Sequence, residues 1–84
     1  MAKTNYSPTF PMFPGDASAV TPNDSTNLSQ PSVIYVGGGG NVKVTTAQGT
    51  AVTFTGVLGG TVLPVQVIRV WSTGTTATSL TAIF

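Results

Sequence analysis

Only five side chains in this sequence carry charge: Lys3, Lys43, Arg69, Asp16 and Asp24. There is no His and no Cys, and both acidic residues are aspartates, so the usual general bases and thiol nucleophiles are missing. Asp16 and Asp24 fall in a proline-rich stretch. A carboxylate pair for acid–base work would need them brought together in a cleft, so each reads as a solvated turn or capping residue. The serines have no base to activate them. Disulfides and a structural zinc site are excluded by the same composition. The sequence therefore indicates no enzyme, no catalytic or metal-binding residue and no cofactor.

The run Gly37-Gly38-Gly39-Gly40 invites comparison with a phosphate-binding loop. Such a loop needs Lys-Ser or Lys-Thr after its last glycine and then a helix, whereas Asn41, Val42 and a β pattern follow here. A hairpin loop is the better reading. Lys43, Arg69, Tyr35, Phe54 and Trp71 are too few and too weakly basic for a single-strand nucleic-acid platform. The net charge of +1 also offers no footprint for nucleic acid or an anionic membrane. What remains is contact chemistry. Arg69 is either an exposed residue with a snorkelling stem or a donor to a neighbouring subunit's carbonyl groups or carboxy terminus. Trp71, beside a strand apolar on both faces, is a candidate interface anchor.

The element that must position these two residues is Val62-Leu63-Pro64-Val65-Gln66-Val67-Ile68-Arg69-Val70-Trp71, the longest β-forming run in the chain. Simple alternation from Val65 puts Val65, Val67, Arg69 and Trp71 on one face and Gln66, Ile68 and Val70 on the other. Both faces are mainly apolar and need cover. Pro64 cannot donate to a ladder, so Thr61 to Pro64 should overhang its neighbours or form a bulge, with pairing from Val65. Further strands are expected over Val33–Val36, Asn41–Thr46, Ala51–Thr55 and Leu80–Phe84. Short connections favour hairpins. The expected fold is all-β, a small antiparallel meander of about five strands arranged as a sandwich or partly closed barrel.

Residues 1–31 hold five of the six prolines and read as an extended N-terminal arm, with 32–84 as the β module. Tyr6, Phe10, Met12 and Phe13 are spaced along it as anchors, which favours a docking arm. Thr21-Pro22-Asn23-Asp24 has the form of a helix start, with Thr21 as N-cap, though only one helical turn or a tight turn is expected. No apolar leader or membrane-length run is present, so the chain should be made in the cytoplasm and not membrane-bound.

A chain of 84 residues buries a small core and needs a staple. With disulfides and metal excluded, oligomerisation is the one left. A charged fraction of 6 % suits a surface packed against other protein.

Several segments taken in order resemble the small spike-base proteins of tailed-phage and gene-transfer-agent heads. They are Asp16 to Leu28, Val33-Ile34-Tyr35-Val36-Gly37-Gly38, Val52-Thr53-Phe54, Val62-Leu63-Pro64-Val65-Gln66-Val67 with Arg69-Val70, and Thr73-Gly74-Thr75-Thr76-Ala77-Thr78. The resemblance implies a non-enzymatic virion protein on the capsid exterior, a homo-oligomer on a symmetry axis. It would serve as a head spike base or a decoration (cement) protein, with the major capsid protein and a head fibre protein as partners. A pentamer is implied by a vertex position, a trimer being the alternative. The competing reading is a tail-associated adhesin-like or glycan-binding module using Tyr35 or Trp71.

Overall fold

The computed structural model describes residues 14–84. Tyr6, Phe10, Met12 and Phe13 lie outside the described residues. Six strands form: β1 (Ala17–Ala19), β2 (Ser32–Gly38), β3 (Gly40–Thr46), β4 (Ala51–Val57), β5 (Thr61–Val70) and β6 (Thr78–Ile83). They make one antiparallel sheet in the order β1-β6-β2-β5-β3-β4, open at both ends. The all-β antiparallel class is as the sequence predicts. The additional strand is β1, in the proline-rich stretch, where Ala17, Ser18 and Ala19 pair with Ile83, Ala82 and Thr81.

The connectivity is not a sequential meander, since only β3 and β4 are neighbours both in the chain and in the sheet. β2 and β3 are separated by the single residue Gly39 yet lie on opposite sides of β5. The glycine run makes this possible. A Cβ on Gly39 would lie 2.8 Å from the Val57 carbonyl oxygen, and one on Gly59 would lie 2.8 Å from that of Gly37. The chain thus crosses the β4–β5 turn with backbone against backbone. The four glycines form a crossover and not the hairpin loop expected, because only residues without a Cβ allow so close an approach.

β5 belongs to both halves of the sheet. Its first residues, Thr61, Val62 and Leu63, pair with Val36, Tyr35 and Ile34 of β2. Its last, Val67, Arg69 and Val70, pair with Thr46, Thr45 and Val44 of β3. Pairing begins at Thr61 and not at Val65. Pro64 is accommodated at a bulge: β5 runs from Leu63 to Val67 while β2 runs only from Ile34 to Ser32. A second irregularity follows, because Thr45 and Thr46 are adjacent while their partners Arg69 and Val67 are not. Ile68 is the extra residue. It resets the alternation, so Val67 and Val70 are both buried and Arg69 and Trp71 face outward. The simple alternation that placed Val67 with Arg69 and Trp71 is corrected on this ground.

The core lies on the inner face, where Ile34, Val36, Val42, Val44, Leu63, Val67, Val70 and Leu80 meet. Each comes from a β-branched or leucine position of an alternating strand. The stretch before β2 runs along this module. Asp16 and Phe84 exchange backbone hydrogen bonds of 2.8 and 2.9 Å, Val20 N–H donates to Leu80 O, Asn23 N–H to Val70 O and Leu28 N–H to Ile68 O. No helix forms at Thr21. Instead the Asn23 carboxamide oxygen accepts from the N–H groups of Ser25 (2.8 Å) and Thr26 (3.1 Å) and from the Ser25 hydroxyl. That is a tight turn closed by Asn23, which outcompetes a helix with no apolar stripe to follow it.

Candidate contact surface

The reset alternation gathers Arg69, Trp71 and Lys43 on the outer face of β3 and β5, beside Thr45. The indole N–H of Trp71 donates to Thr45 Oγ1 at 2.9 Å, which fixes the ring. Lys43 Nζ then lies 4.5 Å from the ring centroid, and the Arg69 guanidinium carbon 5.2 Å from it. The two cations of β3 and β5 therefore share one aromatic ring, an attraction that offsets their mutual repulsion.

Arg69 also reaches back to the stretch before β2. Its Nε donates to Asn27 Oδ1 at 2.8 Å and its Nη1 to the Asp24 carbonyl at 3.0 Å. These are bonds within the subunit. Asp24 is held from the other side, its carboxylate accepting from the Thr73 N–H at 2.8 Å and the Thr73 hydroxyl at 2.5 Å. These bonds hold its carboxyl below the ordinary value of 3.8, with a smaller contribution from the Lys43 charge. The threonine-rich connection continues the pattern: Lys43 N–H donates to Thr75 Oγ1 and Asn41 N–H to Thr76 Oγ1. Sequence reasoning assigns no strand to that connection and no contact to Asn27. The available signal was hydroxyl side chains at Thr73, Thr75 and Thr76, which can bond to backbone without a ladder. The arrangement presents a fixed aromatic and cationic patch.

A second, uncharged patch lies on the outer face of β2, β5 and β6. Tyr35 sits between Val62 on β5 and Thr81 on β6, and Val33 is opposite Ile83. Tyr35 is 38 % exposed and Val62 47 %, while Leu58 in the β4–β5 turn is 77 % exposed. An open groove between the β3–β4 turn and β5 is lined by Thr46, Ala47, Gln48, Thr50, Val65 and Gln66, none of them ionisable. Among the described residues, contact chemistry is thus divided: the charges cluster around Trp71 or sit at Asp16, and the Tyr35 face carries none.

The described residues thus form an open antiparallel sheet that presents outward aromatic and apolar patches, with Arg69 and Trp71 held by bonds within the subunit. No protein-family model matches the chain, and no curated protein does. Among solved structures the chain is similar to one described as the capsid of a native GTA particle computed with C5 symmetry. The identity is 35 % and the TM-score 0.75, over 84 % of this chain and 83 % of that one. At that identity and coverage this chain belongs to the same family as that chain of a GTA particle capsid.

Proposed function

We propose that the chain is a non-enzymatic virion protein on the capsid exterior, a homo-oligomer on a symmetry axis that acts as a head spike base or as a decoration protein. The observation that carries this reading is the 35 % identity to a chain of a GTA capsid along most of both lengths. The composition supports it, since a chain with only 6 % charged residues has a surface suited to standing against other protein. So do the exposed Tyr35 and Val62, side by side on β2 and β5, and the exposed Leu58 of the β4–β5 turn, since exposed apolar side chains of this size are typical of interaction sites. Within this reading the major capsid protein is the primary partner. A ring of five subunits is favoured over a trimer, and a head fibre protein would mount on the outer side. Trp71 with Arg69 is a rigid outward contact, and Tyr6, Phe10, Met12 and Phe13 anchor the N-terminal docking arm.

The test is incorporation into particles. Deleting residues 1–14 should leave the β module folded, by far-ultraviolet circular dichroism, and abolish its attachment to heads. Retention of the truncated protein at wild-type copy number would defeat the docking arm. Labelled protein seen only on tails would defeat the head assignment.

A further inference from the structure

The two edges of the sheet are managed in opposite ways. At one end β1 is three residues long, and the Asp16 carboxylate takes the N–H of Ala17 at 2.8 Å, so little backbone is left to recruit a strand. At the other end β4 is seven residues long, without charge or proline, and pairs only with β3 among the described strands. Natural edges are normally blunted by charge, proline or shortness. This one is not.

The direction of its backbone groups can be read from the bonds it makes. Thr46 N–H donates to Thr50 O at 2.8 Å, and Gly56 N–H donates to Asn41 Oδ1 at 2.9 Å, so the even-numbered residues turn toward β3. By alternation Ala51, Thr53 and Thr55 direct their N–H and C=O outward. All three are exposed. Beside that edge, Val52 is 38 % exposed and Phe54 half-buried, although their partners Val44 and Val42 are fully buried. The core is left unfinished at this end of the sheet.

We propose that the open edge of β4 receives the proline-free N-terminal segment, residues 1–7, of an adjacent copy of this chain, as an added strand. Three observations select that occupant. Met1-Ala2-Lys3-Thr4-Asn5-Tyr6-Ser7 supplies at least seven residues able to donate along an edge, matching the seven of β4. Residues 8–14, with prolines at 8, 11 and 14, would then reach about 22 Å when extended at about 3.1 Å per residue. The chain enters the sheet at β1, the edge opposite β4, which lies five strand spacings or about 24 Å away within one subunit. A copy standing with its β1 side against a neighbour's β4 side brings the segment directly to the open edge. The contact joins unlike surfaces head to tail, the kind of interface that generates a ring where the rotation between copies closes. Alternate residues Thr4 and Tyr6 on the added strand would then cover Val52 and Phe54. The inference rests on the oligomeric reading above only in requiring adjacent copies.

The test uses full-length protein in which Tyr6 is replaced by benzoylphenylalanine, mixed with an isotopically heavy copy and irradiated. Crosslinks from position 6 to residues 51–57 of the other-mass copy are expected. Crosslinks within one copy, or to other regions, or none, overturn the proposal. Hydrogen exchange gives a second readout that does not depend on the label. In the full chain the amides of Ala51, Thr53 and Thr55 should exchange at least ~100-fold more slowly than in a chain lacking residues 1–7, and the protection should rise with protein concentration. Equal protection in both chains, as an edge-to-edge β4–β4 dimer would give, overturns it. Localisation on particles is measured separately, so a protein that is absent from heads and still makes the crosslink refutes the function proposed above and leaves this inference standing.

Discussion

Replacing Arg69 separates a residue that holds its own subunit together from one that binds a neighbour. Arg69→Ala removes two hydrogen bonds from a charged donor, 2.8 Å to Asn27 and 3.0 Å to Asp24, and one of the two cations over Trp71. Exposed bonds of this kind contribute about 0.5–1 kcal/mol each and an exposed cation–π contact about 0.5–1. These contributions share atoms and do not add fully, so the expected loss is about 1.5–2 kcal/mol. In a domain of this size that corresponds to a melting temperature lower by about 6–16 °C. Arg69→Lys keeps the charge and the ring contact but cannot fork to two acceptors, and should recover less than half of the loss. Urea denaturation followed by tryptophan fluorescence measures both variants, since Trp71 lies in the cluster. Backbone exchange should rise across Asn23 to Leu28, the stretch that Arg69 pins. If stability is unchanged in Arg69→Ala and the oligomer dissociates instead, the within-subunit role is wrong and the guanidinium serves the neighbour.

Other consequences can be checked more briefly. Ser79 has φ of 54°, a left-handed conformation that disfavours side chains, so Ser79→Gly should stabilise by about 0.5–1 kcal/mol in thermal unfolding. Gly39→Ala should destabilise severely, because the new methyl would lie 2.8 Å from the Val57 carbonyl oxygen and 3.2 Å from the Gly59 nitrogen, backbone atoms that cannot turn aside. Asp24 has a folded-state carboxyl pKa below its ordinary 3.8, so its bonds to Thr73 stabilise fully above that value and are lost as pH falls through the lower folded value. Acidification below pH ~4 should therefore loosen the 72–76 connection, and Asp24→Asn should remove most of that pH dependence. Val67→Asp, at a fully buried position, should unfold the subunit, whereas Ile68→Asp, at the half-buried bulge, should leave a folded protein detectable by circular dichroism.

Most strands could be read directly because their alternation is clean: Val42 and Val44 against Lys43 and Thr45 mark an inside and an outside. β5 could not be read that way. Its two bulges shift the alternation partway, and nothing local in Val65-Gln66-Val67-Ile68 announces that Ile68 will go unpaired. Pro64 was the useful signal, since its missing N–H required either an overhang or a bulge, and the bulge is what forms. The glycine run was visible but its use was not. Flexibility alone suits a hairpin and a crossover equally, and only the position of Gly59 across the fold distinguishes them. For the contact surface, Trp71 facing outward beside Arg69 was legible as a pairing. The capture of Arg69 by Asp24 and Asn27 was not, because it joins positions more than forty residues apart. β1 was hidden by the prolines on either side of it, Pro14 and Pro22, and by its small side chains, Ala17-Ser18-Ala19, which bury almost nothing of their own.

The order of the strands also sets the order in which this protein can acquire structure. Of the five ladders, only β3 with β4 can close before residue 61 has been made; β1 and β2 must wait for β5 and β6. A growing chain therefore carries one isolated hairpin, marginal by itself, until the last quarter of the sequence emerges. Folding of the whole then depends on pairings between distant positions, and should take milliseconds to seconds rather than microseconds. During that interval the uncharged segments of β2 and β4 are exposed together. Chains ended at residue 60 should accumulate as aggregates or with chaperones, while the complete chain escapes through the closing of β5.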